Sequence, residues 1–133
     1  MKQITHRGGC HCGAVRYEVR AAARVTVQRC NCSICGKSAF LHLIVPGADF
    51  RLLAGGEQLT TYTFNTGVAQ HLFCRTCGVK SFYVPRSNPD GYSVNLRCVE
   101  AGTLEHVTFE DFDGRHWERQ GPALAHLSAA SRP

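Results

Sequence analysis

Seven of the eight cysteines in this 133-residue chain fall into three tight groups. Cys10 and Cys12 form C-x-C in GGCHCGAV, and Cys74 and Cys77 form C-x-x-C in FCRTCGVK. Between them, Cys30, Cys32 and Cys35 form C-x-C-x-x-C in RCNCSICGK. Cys98 stands apart in VNLRCVE. Such spacings place thiolates on one tight turn facing one ion, and zinc takes these sulfurs at about 2.3 Å in a tetrahedron. Gly13, Gly36 and Gly78 follow the groups, as expected where a knuckle turn needs a residue tolerant of positive φ. The clustered thiols divide as a set of four, Cys10, Cys12, Cys74 and Cys77, and a set of three, Cys30, Cys32 and Cys35. The first makes a closed structural site. The second keeps an open position, the arrangement of a catalytic zinc with three protein ligands and a water or substrate. Two other arrangements use the same residues. Cys98 can complete the triple as a second closed site, or the cysteines can pair as disulfides.

Composition weighs against the disulfides. Eight cysteines in 133 residues are too few for a disulfide scaffold. The N-terminus MKQITHRGG has no apolar leader segment. A cytoplasmic protein with reduced thiols is expected, and clustered cysteines there serve metals or catalysis. No apolar run approaches the roughly 18 residues of a membrane span, so no membrane partner is expected. The net charge of +5 is mild and the Lys and Arg residues are scattered, which argues against a nucleic-acid partner. Nothing in the pattern fixes an oligomeric state.

The elements that must position these thiols read mainly as strands. AVRYEVRA alternates apolar and polar with Val15, Tyr17 and Val19 on one face. VTVQRC leads into the triple, and FLHLIV follows it, with Phe40, His42 and Ile44 opposite Leu41, Leu43 and Val45. ADFRLLAG, LTTYTFN, YSVNLRCV and LEHVTFEDF are further strand candidates, rich in β-branched and aromatic residues. AQHLFC and VKSFYV flank the second knuckle as a hairpin with the metal at its tip. In YSVNLRCV, alternation places Asn95, Arg97 and Val99 on one face and Leu96 and Cys98 on the other. A short helix can begin at Ser33. The length predicts a single domain over residues 1–133, with a core of about 5–118 and a weakly packed tail over 119–133.

The strings GGCHCGAVRYEV, CNCSIC and HLFCRTCGVKSFY, in this order, resemble the glutathione-dependent formaldehyde-activating enzyme family. The stretches TYTFNT, FYVPRSNP and FDGRHWE bring the likeness closest to its centromere protein V-like branch. The resemblance implies a small zinc-stapled β-sheet domain of the Mss4-like type. It also implies a structural zinc on Cys10, Cys12, Cys74 and Cys77, and a more labile zinc on Cys30, Cys32 and Cys35. The family reaction is addition of glutathione to formaldehyde, a carbon–sulfur lyase step. The alternative is a non-catalytic zinc module that binds a protein or small-molecule partner.

A thiol that coordinates a metal is deprotonated outright. As a thiolate it can attack an aldehyde carbonyl. His42, Asn95, Arg97 and the backbone N–H groups of residues 30–36 are candidates to stabilise the resulting alkoxide. Arg86 in PRSNPDG is the first candidate for a carboxylate of a glutathione-like thiol, Arg75 the second, and Lys37 follows the triple. The pocket is expected between the loop after Val84 and the segment 64–67. His11 reads as a solvent-facing knuckle residue, His71 as a packing residue and Trp117 as a core lid. With Arg86 as the single well-placed cation against two carboxylates, weak formaldehyde–glutathione activity is expected, with a preference for another thiol adduct.

Overall fold

The computed structural model describes residues 2–64, 66–116 and 121–128. Trp117 lies outside the described residues, as do parts of the tail. Among the described residues the chain is mainly β. Ten strands run in order: β1 (Ile4–Gly9), β2 (Arg16–Ala21), β3 (Arg24–Cys30), β4 (Leu41–Pro46), β5 (Phe50–Ala54), β6 (Leu59–Tyr62), β7 (His71–Cys74), β8 (Phe82–Tyr83), β9 (Gly91–Asn95) and β10 (His106–Phe112). A six-residue helix, α1 (Ser33–Ser38), lies between β3 and β4.

The strands form a sheet ordered β1-β2-β5, a sheet ordered β10-β3-β4-β9-β8, and the pair β6-β7. Pairing is antiparallel except for β10 on β3, which is parallel. Strand β1 was not foreseen. Its glycines and charges give it no apolar alternation, and it is held by its pairing with β2.

The core follows the alternation of β2, where Tyr17, Val19 and Ala21 are buried. They pack with Val25 and Val27 of β3, Leu43 and Val45 of β4, Phe82 of β8 and Val94 of β9. The thiols Cys10 and Cys74 belong to the same cluster, so the first knuckle group is anchored in the core. Strand β4 is buried on both faces, because it lies between β3 and β9. Its odd-numbered Leu43 and Val45 enter the core, while His42 and Ile44 face the other way, into a cavity.

One expectation is corrected here. The strand read through Val99 ends at Asn95, and residues 96–98 form a 3-10 turn. The Asn95 side chain causes the break by accepting a hydrogen bond from the Arg97 backbone N–H. Residues 121–128 form a 3-10 segment with Leu124 and Ser128 buried. The fully buried Asn88 amide donates to the carbonyls of Leu124 and Ala125 and to Ser128 Oγ. A polar staple of this kind leaves no apolar signature in a sequence.

Candidate active site and metal centres

The four thiols of Cys10, Cys12, Cys74 and Cys77 lie within 4.8 Å of one another. Cys12 Sγ stands 3.6 Å from both Cys10 Sγ and Cys74 Sγ. A tetrahedron with zinc–sulfur bonds of about 2.3 Å has edges of about 3.8 Å. A disulfide would need about 2.05 Å. The donor set therefore fits a closed metal site. Gly13 and Gly78 turn the two knuckles with φ of 84° and 75°, a conformation that side-chain-bearing residues seldom adopt. The Val15 backbone N–H donates to Cys10 Sγ. The Cys77 backbone N–H helps hold the Cys74 thiol below its ordinary range. His11 is exposed, as expected.

The triple is built differently. Cys30 ends β3, Cys32 caps the N-terminus of α1, and Cys35 lies buried within that helix. Their sulfurs also lie within 4.8 Å of one another. Gly36 is helical here and takes no positive φ. The chain turns instead at Ala39, with φ of 55°. The backbone N–H groups of Cys32 and Cys35 donate to the sulfurs of Cys30 and Cys32. These amides thus serve the thiolates and are not spare for an alkoxide. Hydrogen bonds from Cys30, then Cys35, hold the Cys32 thiol far below its usual value, while Cys30 and Cys35 are pushed up. One negative charge is therefore already favoured on the cluster, as a site ready for a cation requires.

Cys98 is not part of this triple. Burial pushes its thiol up to about 11, with the Cys10 and Cys77 thiolates adding to the rise, so it sits toward the four-thiol group. It belongs to neither set of mutually close ligands. The second site thus keeps three cysteines among the described residues.

The triple opens on a cavity of about 480 Å³. Alternation along the five-stranded sheet supplies one wall. Gln28 pairs with His42, Ile44 with Ser93, and Ser93 with Tyr83, and Gln28, His42, Ile44 and Tyr83 line the space. Phe64 and Arg86 come from the two segments expected to shape it, and His71 from β7. Gly114 and Arg115 close it from the C-terminal side. This last segment is tied to the triple's loop. Asn31 Nδ2 donates to Asp113, and Arg115 donates from its backbone N–H to Asn31 Oδ1 and from Nε to the Asn31 carbonyl.

The expected site residues divide. His42 lines the cavity, 4% exposed, with Nδ1 shared between Ser93 Oγ at 3.0 Å and the Tyr83 hydroxyl at 3.2 Å. Burial, then the Lys80 charge, holds its pKa down at about 3, so the ring is neutral. Asn95 is committed to the backbone, donating to the Lys80 carbonyl and capping the turn after β9. Arg97 Nε donates to the Ala39 carbonyl. Arg75 is bound to Gln58 on the far knuckle. Lys37, in the last turn of α1, lines a shallow neighbouring depression with Tyr62 and Phe64.

Sequence reasoning missed Arg115, Gly114, Gln28 and the His71–Lys80 pair. Arg115 matters most for charge, because it places a second cation beside Arg86 on the same cavity. The expectation of weak activity toward a two-carboxylate thiol rested on a lone cation and loses that support. The clue available was FDGRHW, a polar string too rich in function-bearing types for a plain turn.

Comparison with known proteins supports the same assignment. The chain is 33% identical over 78 residues to a Halomonas elongata protein named as a provisional glutathione-dependent formaldehyde-activating enzyme. That alignment covers 53% of this chain and 50% of the relative, so the chain spans about half the length of the curated relative it matches. A Rhodobacter sphaeroides protein of known crystal structure is 38% identical, with a TM-score of 0.66 over 78% of this chain and 99% of that one. No helix among the described residues is long and apolar enough to cross a membrane. The sequence signature of the glutathione-dependent formaldehyde-activating enzymes matches residues 5–115, and the chain belongs to that family.

Proposed function

We propose that the chain is a zinc-dependent enzyme of the carbon–sulfur lyase type, joining a low-molecular-weight thiol of the glutathione class to a small aldehyde and catalysing the reverse. The observation that carries this reading is the placement of three mutually close thiols in a cavity that Arg86 and Arg115 also line. Zinc, when bound by Cys30, Cys32 and Cys35, supplies an acceptor for one further sulfur and keeps that sulfur deprotonated. The chain's own residues do the rest. Arg86 and Arg115 each suit a carboxylate of the thiol substrate, since a guanidinium binds carboxylate through two parallel hydrogen bonds. Phe64, Ile44 and Phe112 give the cavity apolar walls that exclude water. His42 is neutral and presents a buried Nε2 with no protein partner.

The finer placements belong to the same proposal. Cys10, Cys12, Cys74 and Cys77 hold a structural zinc, and two ions bind in all. The strings quoted above support a place beside the centromere protein V-like branch. Knuckle-borne thiols on a β-rich frame support an Mss4-like fold and a single domain. Reduced cysteine ligands support a cytoplasmic location.

Calorimetry tests the reading. Glutathione should bind the two-zinc protein and release a proton, because a coordinating thiol is deprotonated. The measured enthalpy should therefore differ between two buffers of different ionisation heat. Binding should weaken as pH falls, since protons then compete for the sulfur. No heat in either buffer, on protein with both zincs confirmed, would mean a site that does not take thiols, as in a non-catalytic module. A second test addresses charge. Arg115→Ala and Arg86→Ala should each raise the KM for glutathione more than they lower kcat. An unchanged KM in both would remove the carboxylate assignment.

A further inference from the structure

The cavity wall holds polar atoms that the protein itself leaves unsatisfied. Among the described residues, buried side-chain atoms without a partner include Gln28 Oε1, His42 Nε2 and His71 Nε2, and all three residues line the cavity. A buried donor or acceptor without a partner costs about 1–3 kcal/mol. Three such atoms on the residues of one cavity wall leave a partner to be supplied, and a polar ligand bound there is the candidate.

His71 differs from the other two because its proton is assigned by its neighbour. Lys80 Nζ lies 2.7 Å from His71 Nδ1. An ammonium has donors and no acceptor, so Nδ1 must accept. In a neutral imidazole the other nitrogen then carries the hydrogen. Burial, then the Lys80 charge, holds the His71 pKa at about 4, which keeps the ring neutral. Lys80 is itself brought down to about 8 by burial, and is still mostly an ammonium at neutral pH. The ring is also fixed in plane, stacked on Tyr83 at 5.0 Å and on Phe64 at 5.3 Å. Lys80 is held in turn over the faces of Tyr83 and Phe40, at 3.9 Å and 5.0 Å from their centroids. His42 lacks such a setting, since its Nδ1 meets two hydroxyls that can each donate or accept.

We propose that His71 Nε2–H is the preorganised donor that receives the aldehyde oxygen of the substrate, and that Lys80 is the positioning residue that fixes its tautomer. This rests on the thiol–aldehyde reading given above. In the addition, the sulfur lone pair forms the C–S bond to the carbonyl carbon. The C=O π pair moves onto oxygen, which takes a proton from solvent in place of the one the thiol released. No oxidant or reductant is involved. The Nε2 hydrogen stays on nitrogen throughout and stabilises the oxygen as its charge develops. A donor fixed before the reaction incurs no reorganisation during it.

The test combines kinetics with nitrogen-detected NMR of the histidine rings. His71→Phe keeps a flat ring for the stack and removes the donor. It should lower kcat for S-hydroxymethylglutathione formation by about 10²–10³-fold, the usual effect of deleting such a donor, with the KM for glutathione little changed. His71→Gln, which can present an amide N–H, should recover part of the loss. In wild type at neutral pH the His71 spectrum should show the Nε2–H tautomer, and Lys80→Met should mix in the Nδ1–H form. An active wild type with unimpaired His71→Phe, or a wild-type ring protonated on Nδ1, would overturn the donor assignment alone. A wild type with both zincs and no acceleration at all would overturn the reaction reading, and the role of His71 with it.

Discussion

Cys74→Ser should yield unfolded or insoluble protein, whereas Cys32→Ser should yield folded protein lacking one metal ion. The contrast follows from what each thiol joins. Cys12 and Cys74 are 62 positions apart in sequence and 3.6 Å apart in space. Cys74 is fully buried and, with Cys10, part of the hydrophobic core. A structural zinc contributes about 10–16 kcal/mol of apparent binding energy at neutral pH, and that energy is folding energy. The whole domain is stable by only about 5–15 kcal/mol, so impairing this site consumes the margin. The triple, by contrast, spans Cys30 to Cys35 on one strand end and the helix that follows. Its three ligands come from one local turn, and the sheet around it is paired on both sides. Circular dichroism, solubility and metal content of the two variants check this. Equal behaviour of the pair would mean that the division into a structural and an open site is wrong.

Gly114→Ala should weaken metal binding at the open site while leaving the fold in place. A Cβ at Gly114 would stand 2.3 Å from Cys30 Sγ and 3.0 Å from Cys32 Cβ. The first approach is one that real Cβ atoms do not make, the second asks its neighbour to give slightly, and the segment cannot simply lift away. It is tied down by Asn31, which bonds Asp113 on one side and Arg115 on the other. The thiols must therefore move, and metal affinity at the triple should fall on the order of 10–100-fold, as when groups supporting metal ligands are altered. Gly36→Ala is the matched control. It sits beside Cys35 in α1 with no heavy atom within 4 Å of the new methyl. It should leave metal binding alone and favour the helix by up to about 1 kcal/mol. Competition with a chromophoric chelator measures both. Unchanged affinity in Gly114→Ala would mean that residues 113–115 do not rest on the triple once metal is bound.

What could be read from the sequence depended on whether a residue's role was local. The thiol groups were legible because knuckle spacing is itself the ligand geometry, and strands β2 and β4 were legible from their period of two. Arg86 was named for its charge and residues 64–67 as a pocket segment, and Phe64, Thr66 and Arg86 line the cavity. His71 was read as a packing residue, and it is buried and stacked as that reading required. Its second role depends on Lys80, nine positions away across the knuckle. A lysine between Val79 and Ser81 in a sequence gives no hint that it will lie between aromatic rings. Arg97 and Cys98 were misplaced by extending the alternation past Asn95, where the strand ends. Gly114 could not be found at all, because its importance is a close approach to Cys30, which only the parallel pairing of β10 with β3 creates.

Cys30, Cys32 and Cys35 are expected to hold a zinc with room for one more sulfur. X-ray absorption at the zinc edge on the two-zinc protein, with and without glutathione, tests this claim most directly. The mean number of sulfur ligands per zinc should rise when glutathione is added, at zinc–sulfur distances near 2.3 Å. The rise should vanish in folded Cys32→Ser protein that retains only the structural ion. Sulfur ligation that is already complete without glutathione, or that stays constant when glutathione is added at saturating concentration, would contradict the claim.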